Sequence, residues 1–171
     1  MTRLSIFLMM IVVSCLLAGV YGALHNQVSY SISPEYFHNL LFERTGISGE
    51  GNPRIGAAQV GFAGSWWMGL VTGVPLATLA LFLKGPERAM FRVYFISALV
   101  IIALTAAFGM ASLTLDIPPG AAAPEGVSDP GAFLRAALLH SYSYLSGVVA
   151  LVGGLGVMGV TVWRSRKVQE G

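Results

Sequence analysis

The sequence predicts an all-α integral membrane protein, a four-transmembrane-helix bundle with a short amphipathic helix in the first outer loop. Three observations predict this fold. Charged residues make up only 11% of the 171 residues and hydrophobic residues make up 55%, whereas a soluble domain carries about 25% charged residues. Four apolar stretches reach the length of about 20 residues that a membrane helix needs. Basic residues fall mainly at those ends of the four stretches that would face the same side of a membrane.

The composition excludes several classes of protein. A globule with so few charges would not stay in water, which excludes a soluble enzyme, and the high hydrophobicity excludes a disordered chain. The net charge of +2 is too small to indicate a nucleic-acid partner. The single cysteine, Cys15, allows neither an internal disulfide nor a cysteine-rich metal site.

The chain is predicted to form one membrane domain, residues 1–171. The predicted spans are about 4–24, 60–83, 93–115 and 136–163, and the outer loops are 25–59 and 116–135. Pro75 lacks a backbone donor and predicts a kink inside the second span. The Gly85-Pro86 pair predicts a tight turn, so that the second and third spans form an antiparallel hairpin.

The distribution of basic residues predicts that both termini face the cytoplasm, since Lys and Arg stay on that side of a membrane. Seven basic residues lie on the predicted inner side: Arg3, Lys84, Arg88, Arg92, Arg164, Arg166 and Lys167. Three lie on the outer side: Arg44, Arg54 and Arg135. The N-terminus allows two interpretations. We favour a retained first helix, and the alternative is a secretory signal peptide cleaved near Val20-Tyr21-Gly22.

Small residues spaced four apart predict close packing by the second span. They form a stripe along one helix face, made of Gly61, Ser65, Gly69, Gly73 and Ala77. In a membrane such stripes let helix backbones approach closely. The stripe serves either packing within the bundle, which we favour, or contact between copies in a homo-oligomer.

The first outer loop predicts two elements. Apolar and polar residues alternate over residues 27–33, a pattern typical of a half-buried extended segment. Ser33-Pro34-Glu35 then matches the start of a helix, with a cap, a proline and an acidic first turn. Phe37, Leu40, Leu41 and Arg44 follow at helical spacing, and Gly46 closes the turn. We predict an amphipathic helix on the outer membrane surface or over the mouth of the bundle.

The second outer loop predicts an irregular connection followed by a helix start. It contains four prolines among alanines and glycines, without periodicity. Ser128-Asp129-Pro130 repeats the capping pattern of the first loop. The helix it begins should start outside the membrane, carry Arg135 and continue inward as the last span.

Polar and aromatic side chains collect at one predicted depth near the outer face, about 20 residues from the inner end of each span. This candidate binding layer consists of His25, Gln27, Glu35, Tyr36, Trp66, Trp67, Arg135, His140 and Tyr144. Many of its members also have an ordinary explanation. Trp and Tyr are enriched at both interfaces of membrane proteins, and a His or Arg at a helix end commonly meets a carbonyl or a phosphate.

Three functional hypotheses follow for this layer. In the first, His25, Glu35 and His140 bind a transition metal, since imidazole and carboxylate suit zinc, iron or copper. In the second, His25 and His140 are axial ligands of one haem, with Trp66 and Trp67 walling the pocket. In the third, the layer binds a lipid, a quinone or a partner membrane subunit without chemistry.

We favour the third hypothesis, a non-enzymatic scaffold or accessory subunit without a cofactor; the alternative is a metal- or haem-binding redox protein. No catalytic residue is predicted. Apart from His140, the spans carry no ionisable residue near mid-membrane, which argues against a proton or ion path. The predicted partners are the lipid bilayer and either another membrane subunit or a second copy of the chain.

Three blocks of sequence carry a family resemblance. They are residues 22–29 followed by 33–37, residues 63–69, and residues 133–136 leading into 140–147. Together they are similar to blocks shared by a set of bacterial multi-pass inner-membrane proteins with no known activity. The resemblance implies a bacterial inner-membrane location and adds no reaction. Asn26 stands where these proteins are expected to carry an acidic residue.

Overall fold

The computed structural model describes residues 2–167, and every regular element within them is helical. The elements are α1 (Arg3–Ile32), α2 (Pro34–Tyr36), a π turn (Phe37–Leu41), α3 (Phe42–Thr45), α4 (Pro53–Ser65), α5 (Met68–Ala80), α6 (Glu87–Ala111), a 3₁₀ turn (Ser112–Thr114) and α7 (Pro130–Lys167). Three helices, α1, α6 with its 3₁₀ turn, and α7, are long and apolar enough to cross a membrane. The bent pair of α4 and α5 makes a fourth if it forms one span. The all-helical class and the presence of membrane-length helices are therefore confirmed.

The second predicted span is a broken helix, and the break does not lie at Pro75. The axes of α4 and α5 differ by 43° around Trp66 and Trp67, whereas α5 continues through Pro75. At the break, the Trp67 indole N–H donates to the Gly64 carbonyl at 2.7 Å. The Trp67 side chain thus occupies the Gly64 carbonyl, which would otherwise accept a hydrogen bond within the helix, and this explains the bend. The backbone donor that Pro75 lacks does not explain it.

The prediction of an extended segment at residues 27–33 is wrong, because α1 continues without interruption to Ile32. Its 30 residues rise about 1.5 Å each and span roughly 45 Å, about 15 Å more than the hydrocarbon core. The buried residues at its outer end, Asn26, Ser29 and Tyr30, follow helical spacing. Within residues 2–167 there is no strand to pair with the alternating pattern, and the helix ends only where Ser33 precedes a proline.

The helix predicted in the first outer loop is present but divided into α2, the π turn and α3, which together form the outer segment (residues 34–45). The Ser33 hydroxyl accepts a hydrogen bond from the Tyr36 N–H at 3.2 Å, which confirms the predicted cap. Gly46 ends the segment with a φ of 66°, a left-handed conformation that glycine adopts without steric cost.

The predicted start of the last span is also confirmed. The Asp129 carboxylate accepts a hydrogen bond from the Ala132 N–H at 2.9 Å, and α7 begins at Pro130. Arg135 lies on the second turn of this helix, as expected.

The start of α1, the connection between α5 and α6, and the end of α7 meet at one end of the molecule. The Arg3 guanidinium donates to the Leu81 carbonyl at 3.5 Å, and the Lys84 N–H donates to the Ser165 hydroxyl at 3.4 Å. We call this end the inner end. The outer segment and the start of α7 lie together at the other, outer end.

Helix α1 packs along α4 and α5 through the predicted stripe of small residues. Gly22 and Gly61 lie so close that a Cβ on either would overlap the carbonyl oxygen of the other. A Cβ on Gly69 would overlap the backbone of Cys15. This approach supplies the van der Waals contact by which helices associate in lipid. The stripe is thus used inside the chain, as favoured, and its face is occupied by α1 and not by a second copy.

Two hydrophobic clusters lie at different levels. The inner cluster joins all the long helices and includes Met10, Leu76, Tyr94, Ile101 and Met158. The outer cluster joins α1, the outer segment, α4 and α7, and includes Tyr30, Phe37, Phe42, Val60 and Phe133. Within the inner cluster, the Tyr94 hydroxyl donates to the Met10 carbonyl at 2.6 Å and accepts from the Ser14 hydroxyl, which links α6 to α1.

The Gly69→Val substitution should destabilise the protein by about 1–3 kcal/mol or more, because α1 and α5 must separate to admit the side chain. Thermal unfolding in detergent micelles measures the effect. Gly153→Val in α7 is the matched control, since a Cβ there meets no atom within 4 Å. Equal melting temperatures for the two variants would contradict the packing described.

Candidate functional site

A cavity of about 560 Å³ lies beneath the outer segment, between the inner and outer hydrophobic clusters. We call it the outer cavity. Its lining comes from α1, the outer segment, α4, α5, α6 and α7, and includes Tyr21, His25, Asn26, Tyr36, Arg44, Ser65, Met68, Ile102, His140, Ser143 and Tyr144. Pockets that bind small molecules measure about 300–1,000 Å³. The outer cavity therefore has the size of a ligand site.

The space is left by the helix break and by two glycines. Helix α1 packs on α4 and α5, and α6 packs on α7, but α4 makes little contact with α7. Gly64 at the break and Gly147 on α7 both line the cavity without a side chain to fill it. The nearest atom to a Cβ on Gly64 would be the hydroxyl of Tyr144, at 3.9 Å. Tyr144 is also 45% exposed, so the cavity reaches the protein surface on this side.

His25 of α1 and His140 of α7 meet in the wall of the cavity. Their ring centres are 4.8 Å apart, and the edge of one ring faces the plane of the other at 84°. Tyr36 of the outer segment packs on His140 with ring centres 5.0 Å apart. Helix α1, the outer segment and α7 therefore converge on this histidine pair.

His140 is held by hydrogen bonds at both ring nitrogens. The Asn26 amide donates to the Ala57 carbonyl at 2.9 Å, which turns its oxygen toward His140 Nε2 at 3.1 Å. His140 Nδ1 lies 2.9 Å from the Ala136 carbonyl oxygen and 3.3 Å from the Ser29 hydroxyl. A neutral ring donates to only one of the two carbonyl-type acceptors, whereas the imidazolium donates to both. His140 thus ties α7 to α1 and, through Asn26, to α4.

Two polar atoms at the cavity have no hydrogen-bond partner among residues 2–167. They are Nε2 of His25 and the hydroxyl of Tyr21, one turn earlier on α1, and both atoms are buried. The other nitrogen of His25, Nδ1, lies 3.4 Å from the Ser143 hydroxyl. A buried polar group without a partner costs about 1–3 kcal/mol. Both atoms therefore keep an unused hydrogen-bonding capacity in the wall of the cavity.

The cavity has a simple charge distribution. In the described part of the chain its lining contains no Asp, Glu or Lys, and its one permanently charged residue is Arg44 of α3. Arg44 is exposed and makes no hydrogen bond or ion pair with the rest of residues 2–167. The lining therefore favours neutral or negative ligands over positive ones.

The cavity extends from the outer end of the bundle toward its middle. Ile102 in its floor lies 14 residues from Arg88 along α6, about 21 Å at the usual helical rise. His140 lies 24 residues from Arg164 along α7, about 36 Å by the same measure. The cavity thus spans about 15 Å. His25, His140 and Arg44 lie at its outer end, and the deeper polar residues, Thr72 and Thr105, donate to carbonyls of their own helices.

Four of the nine residues of the predicted binding layer line the cavity: His25, Tyr36, His140 and Tyr144. Trp66 and Trp67 do not line it and are about half exposed, as expected of interfacial anchors. Gln27 and Arg135 each donate a 2.9 Å hydrogen bond to a backbone carbonyl of a neighbouring element. These polar contacts connect the elements of the outer end.

The structure does not bring the three predicted metal ligands together. Glu35 accepts hydrogen bonds from the Ser128 N–H at 3.0 Å, the Ser128 hydroxyl at 2.8 Å and the Asp129 N–H at 3.2 Å. Over residues 2–167, no three His, Cys, Asp or Glu side chains are placed to hold a metal ion. The Glu35 carboxylate faces the second outer loop and not the histidines.

The histidine pair also does not fit axial ligation of a haem. Two axial nitrogens lie about 4 Å apart on opposite sides of an iron, with the porphyrin plane between the rings. Here the rings of His25 and His140 contact each other directly, which leaves no room for that plane. Both nitrogens of His140 are also engaged within the protein.

Asn26, Ser29, Ser143 and Arg44 belong to the site or support it and were not part of the predicted binding layer. The predicted end of the first span at residue 24 concealed Asn26, and the extended segment assigned to residues 27–33 concealed Ser29. If the helix is continued past residue 24, Asn26 and Ser29 follow Gly22 at helical spacing, on the face that α1 buries. Helical periodicity was therefore the signal that would have found them.

No family model, curated protein or solved structure matches the chain.

Glu35 fastens the outer segment to the start of α7, and this contact should depend on pH. The backbone N–H and hydroxyl of Ser128 and the backbone N–H of Asp129 hold the pKa of Glu35 below its usual range. A carboxyl with a lowered pKa stabilises the folded state above its unfolded pKa of about 4.3. That stabilisation is lost as the pH falls through the lowered value.

Glu35→Gln should therefore reduce the protection of the Ser128 and Asp129 amides from hydrogen exchange at neutral pH. The difference from the unmodified protein should shrink only as the pH falls through the lowered pKa of Glu35, below the ordinary value of about 4.3. Glu43→Gln, which changes an exposed carboxylate of α3, is the control. Equal protection in the Glu35→Gln variant and the unmodified protein at neutral pH would show that the contact does not hold the loop.

Proposed function

We propose that this chain is a non-enzymatic membrane protein, a small scaffold or accessory subunit, whose outer cavity binds an amphipathic molecule from the surrounding bilayer. The observation that carries the proposal is the match between the cavity and one leaflet. The histidines and Arg44 of the cavity lie at its outer end, and toward the middle of the bundle its lining is aliphatic apart from Thr72 and Thr105, whose hydroxyls bond to carbonyls of their own helices. Its span of about 15 Å is half of a hydrocarbon core of about 30 Å.

The polar groups of the cavity suit binding better than catalysis. The nitrogens of His140 and the carboxylate of Glu35 are used in bonds that connect helices and loops. The groups left to a ligand are Nε2 of His25 and the hydroxyl of Tyr21. A few convergent polar groups in a largely apolar pocket typically orient a bound small molecule.

We further propose that α4 and α5 act as one bent span in a four-span bundle within a bacterial cytoplasmic membrane, with both termini in the cytoplasm. Seven of the ten basic residues belong to the inner end, where α1 starts and α7 finishes. Lys and Arg are retained on the cytoplasmic side. The resemblance to bacterial inner-membrane proteins supports the same location. The outer cavity then lies in the outward-facing leaflet.

Single-cysteine labelling tests this orientation. In a Cys15→Ser background, the Glu125→Cys variant should react with a membrane-impermeant maleimide in intact cells, because Glu125 lies in the exposed second outer loop. The Arg88→Cys variant should react only after permeabilisation. The opposite pattern would reverse the proposed orientation.

Filling the cavity should abolish binding without unfolding the protein. A Cβ on Gly147 would meet only the Thr105 side chain at 3.8 Å, an ordinary contact, so Gly147→Leu extends into the cavity. We expect photo-crosslinking by diazirine-bearing C16 amphiphiles, an acid and an alcohol, to fall about tenfold. Such a fall corresponds to about 1.4 kcal/mol of binding free energy.

Gly153→Leu is the matched control for this experiment. It makes the same exchange on the same helix, at a position where an added Cβ meets no protein atom within 4 Å. Thermal unfolding of both variants checks that the fold is kept. Crosslinking that survives in Gly147→Leu at the level of Gly153→Leu would overturn the proposed function.

A further inference from the structure

We infer that the ligand of the outer cavity is an acidic amphiphile, a single aliphatic chain with an anionic head bound at the outer end by Arg44 and the donors of His25 and Tyr21. The inference rests on the proposed function, since it requires that the cavity binds an amphipathic molecule. It adds the charge of the head, the direction in which the ligand lies and the number of chains.

The first argument is the uncompensated charge of Arg44. Arg44 lines the cavity, and no carboxylate residue lines it within residues 2–167. The Glu35 carboxylate of the same segment is already bonded to Ser128 and Asp129 of the second outer loop. A guanidinium presents a fork of donors that matches a carboxylate or phosphate group. An anionic head therefore fits where a cationic head would be repelled.

The second argument is the hydrogen-bonding character of the unpaired atoms. The Ser143 hydroxyl, when it donates to Nδ1 of His25, places the ring proton on Nε2 and makes that buried atom a donor. The Tyr21 hydroxyl supplies a second donor one turn away. A carboxylate or phosphate accepts from both donors, whereas an alcohol or amine head brings donors of its own.

The shape of the cavity determines the direction and size of the ligand. Below the polar end, the lining continues through Ala18 and Met68 to Ile102, which suits an aliphatic chain directed toward the middle of the bilayer. The volume of about 560 Å³ lies within the range of single small-molecule sites, about 300–1,000 Å³. We propose one chain, and competition by palmitate against phosphatidylglycerol separates it from the two chains of a phospholipid.

The test uses the full chain in neutral phosphatidylcholine nanodiscs with two C16 probes, a diazirine fatty acid and the matching diazirine alcohol. We expect the acid to crosslink at least about tenfold more than the alcohol at equal subsaturating concentration, as one charge-assisted contact provides. Arg44→Gln should remove this preference by lowering acid labelling about tenfold while leaving alcohol labelling unchanged.

Two variants control for charge and for position. Arg54→Gln makes the same exchange at the outer end, on a side chain that donates to Ser31 at 3.1 Å and does not line the outer cavity. It should keep the acid preference. Arg44→Lys retains the positive charge and should restore most of the labelling lost in Arg44→Gln.

Each remaining outcome decides the question. Equal labelling by acid and alcohol that Gly147→Leu abolishes would overturn the anionic head and leave the proposed function standing. Labelling by neither probe would overturn both. A preference for a C16 quaternary ammonium probe would also overturn the anionic head, since the cavity tyrosines would then act as a cation site. Competition by phosphatidylglycerol but not by palmitate would overturn the single-chain assignment.

Discussion

The backbone contact between α1 and the α4–α5 pair determines where the functional side chains lie. Gly22 and Gly61 approach until no Cβ fits between the helices, and Gly69 meets the backbone of Cys15 in the same way. In lipid, close contact of this kind replaces the hydrophobic effect as the force between helices. Because the glycines fix the rotation of α1 about its axis, Asn26 is directed to α4 and His25 to α7.

The outer cavity is an interruption in otherwise close packing. On its inner side the long helices meet around Tyr94, and on its outer side aromatic residues cover the bundle. Between these levels the wall is made by His25, His140 and Tyr36, whose rings are large and hydrogen-bonded or stacked. Gly147 leaves the facing space unfilled. An unfilled volume forgoes packing energy, which a ligand of suitable shape would recover.

Two different charged residues of the outer segment hold it over the cavity and would bind the proposed ligand. Glu35 joins the outer segment to the second outer loop through hydrogen bonds to Ser128 and Asp129. Arg44, eight residues beyond Tyr36 in the same segment, lines the cavity without a hydrogen-bond or ion-pair partner among residues 2–167. One short segment therefore supplies both the contact that holds it in place and the charge that the ligand would meet. The Glu35 carboxylate, which was predicted as a metal ligand, therefore holds the outer segment against the second outer loop.

The sequence by itself determined the properties that depend on local composition: apolar runs of membrane length, the caps at Ser33 and Asp129, and the stripe containing Gly61. Hydropathy and capping depend on residues that are close in sequence and need no contact with distant segments of the chain. Only the tertiary structure decided that α1 continues through residues 27–33, that the bend lies at Trp67 and not at Pro75, and that Glu35 faces away from the histidines. Depth in a membrane can be counted along a helix, but the direction of a side chain depends on how neighbouring helices pack, and in this chain glycine contacts between segments distant in sequence set that packing.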